Sequence, residues 1–487
     1  MEDNMQTKLI PLNYARKNKV ILTNTGIIYS PEPLNDVVLH QVQRYCGRKC
    51  QWKICSYERF NQQMESSYSQ AATMSEDTLV SLTQQDNLQS LFLQLPENDQ
   101  EHTENSNAPV IKLINAMLNE ARKAKASDIH VESLEDTLTI RYRIDGMLQI
   151  ISQSDSRLAA PLISRLKIMA NLDIAEKRLP QDGRIVLETG TYSIDVRVSV
   201  IPVAFGERVV LRLLDTNASD IDIDSIGMTT EMCQQLQKLI AKPHGMLLVT
   251  GPTGAGKSTS LYAFLKAINT PRHNILTIED PIEYTLNGVG QTQVNTKAGM
   301  TFAKGLRAIL RQDPDVIMIG EIRDADTASI AVQSSLTGHM VFSTLHTNTA
   351  VGAISRLRDM GIESYLLASA LSGVLSQRLL RKLCPECKSA SPMTTVQQNI
   401  LQTPLASPVY HAVGCEKCNH SGYQGRTGIY ELIVVDEHAR ALIHQQAPES
   451  EIAQYLQLDR ESLFKAGCEK VLAGLTSLEE LLRVTEH

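Results

Sequence analysis

Alternating apolar and polar positions mark the middle of this chain as sheet. In TLTIRYRID (137–145), Leu138, Ile140, Tyr142 and Ile144 alternate with Thr139, Arg141, Arg143 and Asp145, and Asp145-Gly146 supplies a turn. The pattern returns in YSIDVRVSV (192–200), where Ile194, Val196, Val198 and Val200 face one way and Asp195 and Arg197 the other. Ahead of both, VIKLINAMLNEARKAKA (110–126) spaces Ile111, Ile114, Leu118 and Ala121 at helical intervals. This region therefore reads as α+β, with arginines on the polar face of its sheet.

A different pattern begins near residue 225. Short, wholly apolar runs alternate with helical stretches, as in a parallel sheet covered on both faces. GMLLVT (245–250), HNILTIED (273–280), DVIMIGE (315–321) and HMVFSTLH (339–346) are the expected core strands. At the other end of the chain, residues 1–95 mix short apolar runs such as KVILTNTGIIYS (19–30) with polar stretches. LPENDQEHTENSNAP (95–109) has the composition of a linker. The expected order is a small domain at 1–95, a linker at 96–109, an α+β domain at 110–222 and an α/β domain at 223–487.

Composition narrows the function classes. Of 487 residues, 47 are Lys or Arg and 54 are Asp or Glu, a net charge of −7 without a long basic block. That balance speaks against a nucleic-acid partner, which needs a clustered basic surface. No stretch has the length of a membrane span and the first thirty residues lack a signal-peptide core, so a cytoplasmic location without a direct membrane span is expected. Nine cysteines in such a chain point to thiols or metal ligands rather than disulfides.

The strongest chemical signal is GPTGAGKST: Gly251, Pro252, Thr253, Gly254, Ala255, Gly256, Lys257, Ser258 and Thr259. It matches G-x-x-x-x-G-K-[ST] between an expected strand and an expected helix. The glycines let backbone N–H groups wrap phosphates, the helix N-terminus adds positive potential, Lys257 reaches the β and γ groups, and Ser258 is placed to hold Mg²⁺. ATP is the expected ligand. Hydrolysis also needs a carboxylate near the attacking water, and Glu321 closes one strand while Glu279, Asp280 and Glu283 close another. His339 and His346 flank a strand seven residues apart, a spacing that does not put them on the same side of it; two hydrogen-bonded structural histidines are the alternative to a functional pair, and a metal site built from the two alone is disfavoured. Arg141, Arg143, Arg184, Arg197 and Arg212 are candidate cations for a transferring phosphoryl group, or simply a solvated sheet face.

CPEC (384–387) and CEKC (415–418) form two C-x₂-C pairs. Cys384, Cys387, Cys415 and Cys418 suit a closed tetrahedral Zn²⁺ site of structural type, with a redox pair as the alternative. Cys46, Cys50 and Cys55 lack a fourth ligand and a regular spacing and read as ordinary thiols.

Together these blocks resemble the ATPases of the type II secretion and type IV pilus assembly superfamily. The resemblance covers about 108–487 and is carried in order by SDIHVE, RYRIDG, LPQDGR, GERVVLRLLD, GPTGAGKST, ILTIEDPIEY, LRAILRQDPDVIMIGEIRD, TGHMVFSTLHTN and GYQGRTGIYEL. It implies an α/β fold: a RecA-like P-loop ATPase core preceded by an α+β nucleotide-covering domain and a small N-terminal domain, with a zinc insertion at about 384–418. It also implies a homo-hexamer, peripheral on the cytoplasmic face of the inner membrane. Catalytic roles fall by resemblance on Glu321 (Walker B), the Glu279 region (Asp box), the stretch holding His339 and His346 (His box), and Arg184 and Arg197. Ala255 departs from the serine of many relatives, which removes a side chain but leaves the backbone cradle.

LIPLNYARKNKVIL, near the N-terminus, is similar to the segment by which type II secretion ATPases grip an inner-membrane platform protein. The expected function is to power pseudopilus assembly and protein export with that platform protein and a polytopic inner-membrane secretion protein. A pilus extension motor is the alternative. A retraction motor lacks the four cysteines, a DNA translocase lacks support from the charge balance, and a non-hydrolysing scaffold does not need both Lys257 and Glu321.

Overall fold

The computed structural model describes residues 19–22, 27–34, 38, 42, 51–57, 59–60, 107–188, 193–214, 222–403, 408–456 and 462–485. Residues 96–106 of the linker expected at 96–109 and most of residues 1–95 lie outside them, while 107–109 open a helix instead. The chain divides into two compact units, 1–213 and 214–487, nine residues before the boundary expected at 222.

Within the first unit, the described part of the leading region is a small three-stranded sheet of β1 (Ile21–Leu22), β2 (Ile27–Ser30) and β3 (Gln51–Ile54) around Val20, Ile28 and Val42. Next comes helix α1 (Asn107–Lys123), which buries Leu113, Ile114, Met117, Leu118 and Ala121. That stripe packs on a six-stranded sheet in the order β6-β5-β4-β9-β8-β7, built from β4 (Ala126–Ser133), β5 (Thr137–Ile144), β6 (Met147–Asp155), β7 (Gln181–Glu188), β8 (Ser193–Val203) and β9 (Gly206–Leu214). The period-2 reading of 137–145 is what positions it: Leu138, Ile140 and Tyr142 are fully buried, and Tyr142 donates to Met117 O at 2.8 Å. On the opposite face Arg141 pairs with Glu132, and Arg143 and Arg212 both approach Asp128.

Helix α2 (Ala159–Met169) carries Lys167 into the core of this unit, where Nζ lies 2.5 Å from Glu207 Oε1 and donates to Glu176 O at 2.8 Å. Both charged side chains are buried. Removing one partner of such a pair leaves the other charge without compensation, at a cost of about 3–5 kcal/mol. Lys167→Ala should therefore lower the unfolding free energy by that order in chemical denaturation, whereas a loss below about 1 kcal/mol would mean Glu207 finds water instead.

In the second unit, α3 (Thr230–Ile240) precedes a seven-stranded sheet in the order β12-β11-β13-β14-β10-β15-β18. Its members are β10 (Gly245–Thr250), β11 (Ile275–Glu279), β12 (Gly290–Gln293), β13 (Val316–Ile319), β14 (Met340–Leu345), β15 (Leu371–Leu383) and β18 (Tyr423–Val434). All neighbours pair in parallel except β15 with β18. Each of the four expected core strands is present. β10, β13 and β14 are buried along their whole length because both faces are covered. Leu247 and Val249 join Leu261, Phe264 and Leu265 of α4 (Lys257–Ile268) on one face. Met246 and Leu248 join the cluster that includes α5 (Phe302–Ile309) and α6 (Ala325–Leu336) on the other.

Between β15 and β18 a hairpin of β16 (Ser389–Pro392) and β17 (Pro408–His411) is inserted, with the cysteine pairs at its base. Among the described residues no helix is long and apolar enough to cross a membrane.

Candidate active site

The sequence GPTGAGK folds as a loop because β10 ends at Thr250 and α4 cannot start until Lys257, leaving a run of glycines to turn the chain. Gly256 adopts φ +84° as the N-cap of α4, a left-handed conformation that favours glycine. At Gly251, φ is +144°, and a Cβ there would lie 2.4 Å from Gln377 O of the adjacent strand. The loop is thus pressed against β15, and the first N–H groups of α4 have no carbonyl partner within the helix. Lys257 is largely buried, and its Nζ donates to Gly251 O at 2.8 Å and Pro252 O at 3.0 Å. Burial depresses its pKa and the nearby Glu321 carboxylate opposes that shift. Ser258, in the same turn, is exposed.

Glu321 follows Gly320 at the C-terminal edge of β13, and its side chain is 16% exposed. One carboxylate oxygen meets Arg323 Nη2 at 2.5 Å and the other lies 3.5 Å from His346 Nε2. The His346 imidazole is held below its ordinary pKa, first by burial and then by the positive charge of Lys257, with Glu321 pulling the other way. Lys257, Glu321, Arg323 and His346 therefore share one electrostatic neighbourhood beside the phosphate loop. Arg323 is the member that motif reading missed, although it stands two residues after Glu321; hydrogen bonding to Glu321 raises its pKa, and Asp280 also acts on it.

Two expected members behave differently. Glu279, expected among the catalytic strand-end carboxylates, is 4% exposed and both its oxygens are engaged. Thr277 Oγ1 and Gln291 Nε2 donate to Oε1 at 2.5 and 3.1 Å, and Tyr262 of α4 donates to Oε2. Its oxygens are thus engaged by its own strand, by the neighbouring β12 and by the phosphate-loop helix. Asp280 and Glu283, in the turn that follows, are the exposed acids of this strand end. His339 sits at the opposite end of β14 from His346, roughly 20 Å away along the strand, where its Nδ1 lies 2.9 Å from Ser334 O and its backbone carbonyl accepts from Gly245 N. The structure does not bring His339 to the loop.

Arg184 and Arg197 belong to the first unit and stand directly opposite each other on β7 and β8. Arg184 is 65% exposed and grips Asp195 with two nitrogens, Nε to Oδ1 at 2.7 Å, which raises its pKa.

The four cysteines meet as the spacing suggests. Cys384, Cys387, Cys415 and Cys418 place their sulfurs within 4.8 Å of one another. The closest separations are 3.9 Å for Cys384–Cys415, 3.8 Å for Cys387–Cys418 and 3.7 Å for Cys415–Cys418. Tetrahedral zinc with Zn–S bonds of about 2.3 Å requires sulfur–sulfur edges of about 3.8 Å. Backbone N–H groups also point at the sulfurs: Gly414 N at Cys387, and Cys415 N and Gly422 N at Cys418, at 3.2–3.3 Å. Such donors favour thiolates, so the donor set fits zinc.

Residues 103–483 match the family model described as Type II/IV secretion system protein. The chain is 49% identical to the type II secretion system ATPase E of Vibrio cholerae serotype O1, covering 98% of this chain and 97% of that one. It is 51% identical to the putative type II secretion system protein E of Escherichia coli K12, covering 97% of each. Among solved structures it is similar to the Legionella pneumophila ATPase DotB, with TM-score 0.57 and 21% identity over 80% of this chain and 97% of that one. It also resembles the pilus retraction motor PilT with bound ADP, with TM-score 0.51 and 26% identity over 76% of this chain and 96% of that one. With a phosphate loop, a strand-end glutamate beside it and these relatives, the chain belongs to the type II/IV secretion system protein family and is an ATP-hydrolysing member of it.

Proposed function

We infer that this ATPase is the motor of a type II secretion system, working as a homo-hexamer on the cytoplasmic face of the inner membrane and driving pseudopilus assembly and protein export. The observation that carries the reading is the extent of the likeness. Identity of about half to proteins named for type II secretion runs over 98% of the chain, so it takes in the leading region where a pilus motor is expected to differ. In this reading residues 1–95 hold the inner-membrane platform protein, and a polytopic inner-membrane secretion protein receives the movement.

At the site, backbone N–H groups of the loop 251–259, Pro252 excepted, and Lys257 bind the phosphates. Lys257 would exchange its contacts with the Gly251 and Pro252 carbonyls for phosphate oxygens. Ser258 would hold Mg²⁺, which neutralises charge on the β and γ groups when bound. Glu321 orients and deprotonates the attacking water, with Arg323 and His346 fixing its carboxylate. Glu279 positions the turn that carries Asp280 and Glu283. Arg184 and Arg197 are assigned as the cations that meet the transferring phosphoryl group, and zinc on the four cysteines is structural.

The partner assignment is tested with the full chain. Its affinity is measured for the cytoplasmic domain of a type II platform protein and for the pilus counterpart. Preference for the first is expected; preference for the second would reassign the motor to pilus extension without altering the site chemistry.

A further inference from the structure

We propose that Gln377 is a positioning residue for ATP binding: from the adjacent strand it fixes the peptide between Ala255 and Gly256 so that its N–H faces the nucleotide phosphates. Gln377 lies on β15, outside the phosphate-loop motif, and is 1% exposed. Its Nε2 donates to Ala255 O at 2.6 Å and its Oε1 accepts from Ser260 Oγ at 2.7 Å. One amide thus spans the loop and the first turn of α4.

The backbone geometry turns this contact into a statement about the ligand. Ala255 C=O and Gly256 N–H belong to one planar trans peptide and point in opposite directions. Drawing the carbonyl inward to Gln377 therefore turns the N–H outward, to the side where the loop's donors gather. Gly256 has a left-handed φ, so its flanking peptides have alternative orientations to choose between. The two flanking glycines of the motif both meet this residue: a Cβ at Gly251 would strike Gln377 O, and one at Gly256 would lie 3.3 Å from Gln377 Nε2.

The residue type follows from the partners. Ala255 O can only accept and Ser260 Oγ–H is donating, so the spanning group must offer one donor and one acceptor in fixed geometry, which an amide does. A carboxylate would set oxygen against the Ala255 carbonyl. A protonated carboxyl would restore the donor. Tyr430 stands opposite Gln377 on β18 and donates to Ile226 O at 2.9 Å.

Gln377→Leu, Gln377→Glu and Ser260→Ala are made in the full chain, and each is measured for ATP affinity, KM, kcat, melting temperature and zinc content. For Gln377→Leu, a rise in Kd and KM of about tenfold is expected, more than the change in kcat, because an orphaned carbonyl frees the peptide to turn. Ser260→Ala should raise Kd about threefold, since the amide keeps Ala255 but loses its anchor. In Gln377→Glu the affinity, relative to the parent chain at the same pH, should be weakest at high pH and recover as the carboxyl is protonated. A residue that merely filled space would lower the melting temperature without this pH-dependent rescue. A folded, zinc-loaded Gln377→Leu protein with parental ATP affinity would overturn the proposal. If that variant does not fold, a Gln377→Glu affinity that tracks the parent at every pH would do so.

Discussion

Glu321→Gln should lower ATP turnover by between about 10²- and 10⁴-fold while nucleotide affinity stays close to that of the parent chain. The substitution keeps the volume and one carbonyl oxygen of a side chain fixed on two sides, by Arg323 and His346. What it removes is the negative charge and the ability to take a proton from water. Binding rests on backbone N–H groups and Lys257, none of which the substitution touches. Loss of the charge beside Lys257 also removes the group that offsets the effect of burial on the ammonium. Any change in affinity at high pH should therefore be a slight weakening, as Lys257 loses its proton more readily. Phosphate release and fluorescent-nucleotide titration separate the two quantities. Turnover within about threefold of the parent would remove Glu321 from the chemistry and turn attention to Asp280 and Glu283.

The second large effect is expected at the metal site. Cys384→Ser should release the metal and unfold the hairpin inserted between β15 and β18, because serine keeps its proton at neutral pH and cannot replace a thiolate. Zinc in such a site contributes on the order of 10 kcal/mol to local folding. The small cluster beneath it, Leu380, Met393, Leu401, Val409 and Ile429 with the C-terminal helices, cannot replace that contribution. Cys384 is fully buried at the end of β15, the strand that carries Gln377 along the phosphate loop. Loss of zinc should accordingly expose the backbone amides of 384–422 to hydrogen exchange and weaken nucleotide binding as a consequence. Unchanged zinc by elemental analysis would refute the assignment of Cys384 as a ligand.

Much of this was legible in the chain because the signals are local. A wholly apolar strand, a glycine loop and a helix occur within about two dozen residues, and their order dictates what the loop holds. Strand-end acids and C-x₂-C pairs are likewise short-range patterns, and the alternation at 137–145 reported the buried face of β5. What stayed hidden depends on distant partners. Gln377 meets Ala255 across 122 residues and Ser260 across 117, and β15 finds its antiparallel neighbour only after the four-cysteine hairpin. Glu279 has the right place but the wrong surroundings for an open carboxylate, since Tyr262 and Gln291 arrive from two other elements. The separation of His339 from His346 was readable, because an extended strand of that length must hold its two ends apart.

The central claim is that ATP hydrolysed at this loop is used for protein export through a type II system. The most direct measurement exchanges Glu321→Gln at the chromosomal gene of the organism that encodes the chain and follows export of folded proteins to the medium. The account predicts that export stops and its substrates accumulate behind the outer membrane, while the variant is present at parental level. Export continuing at the parental rate in cells whose only copy is the Glu321→Gln chain would contradict it.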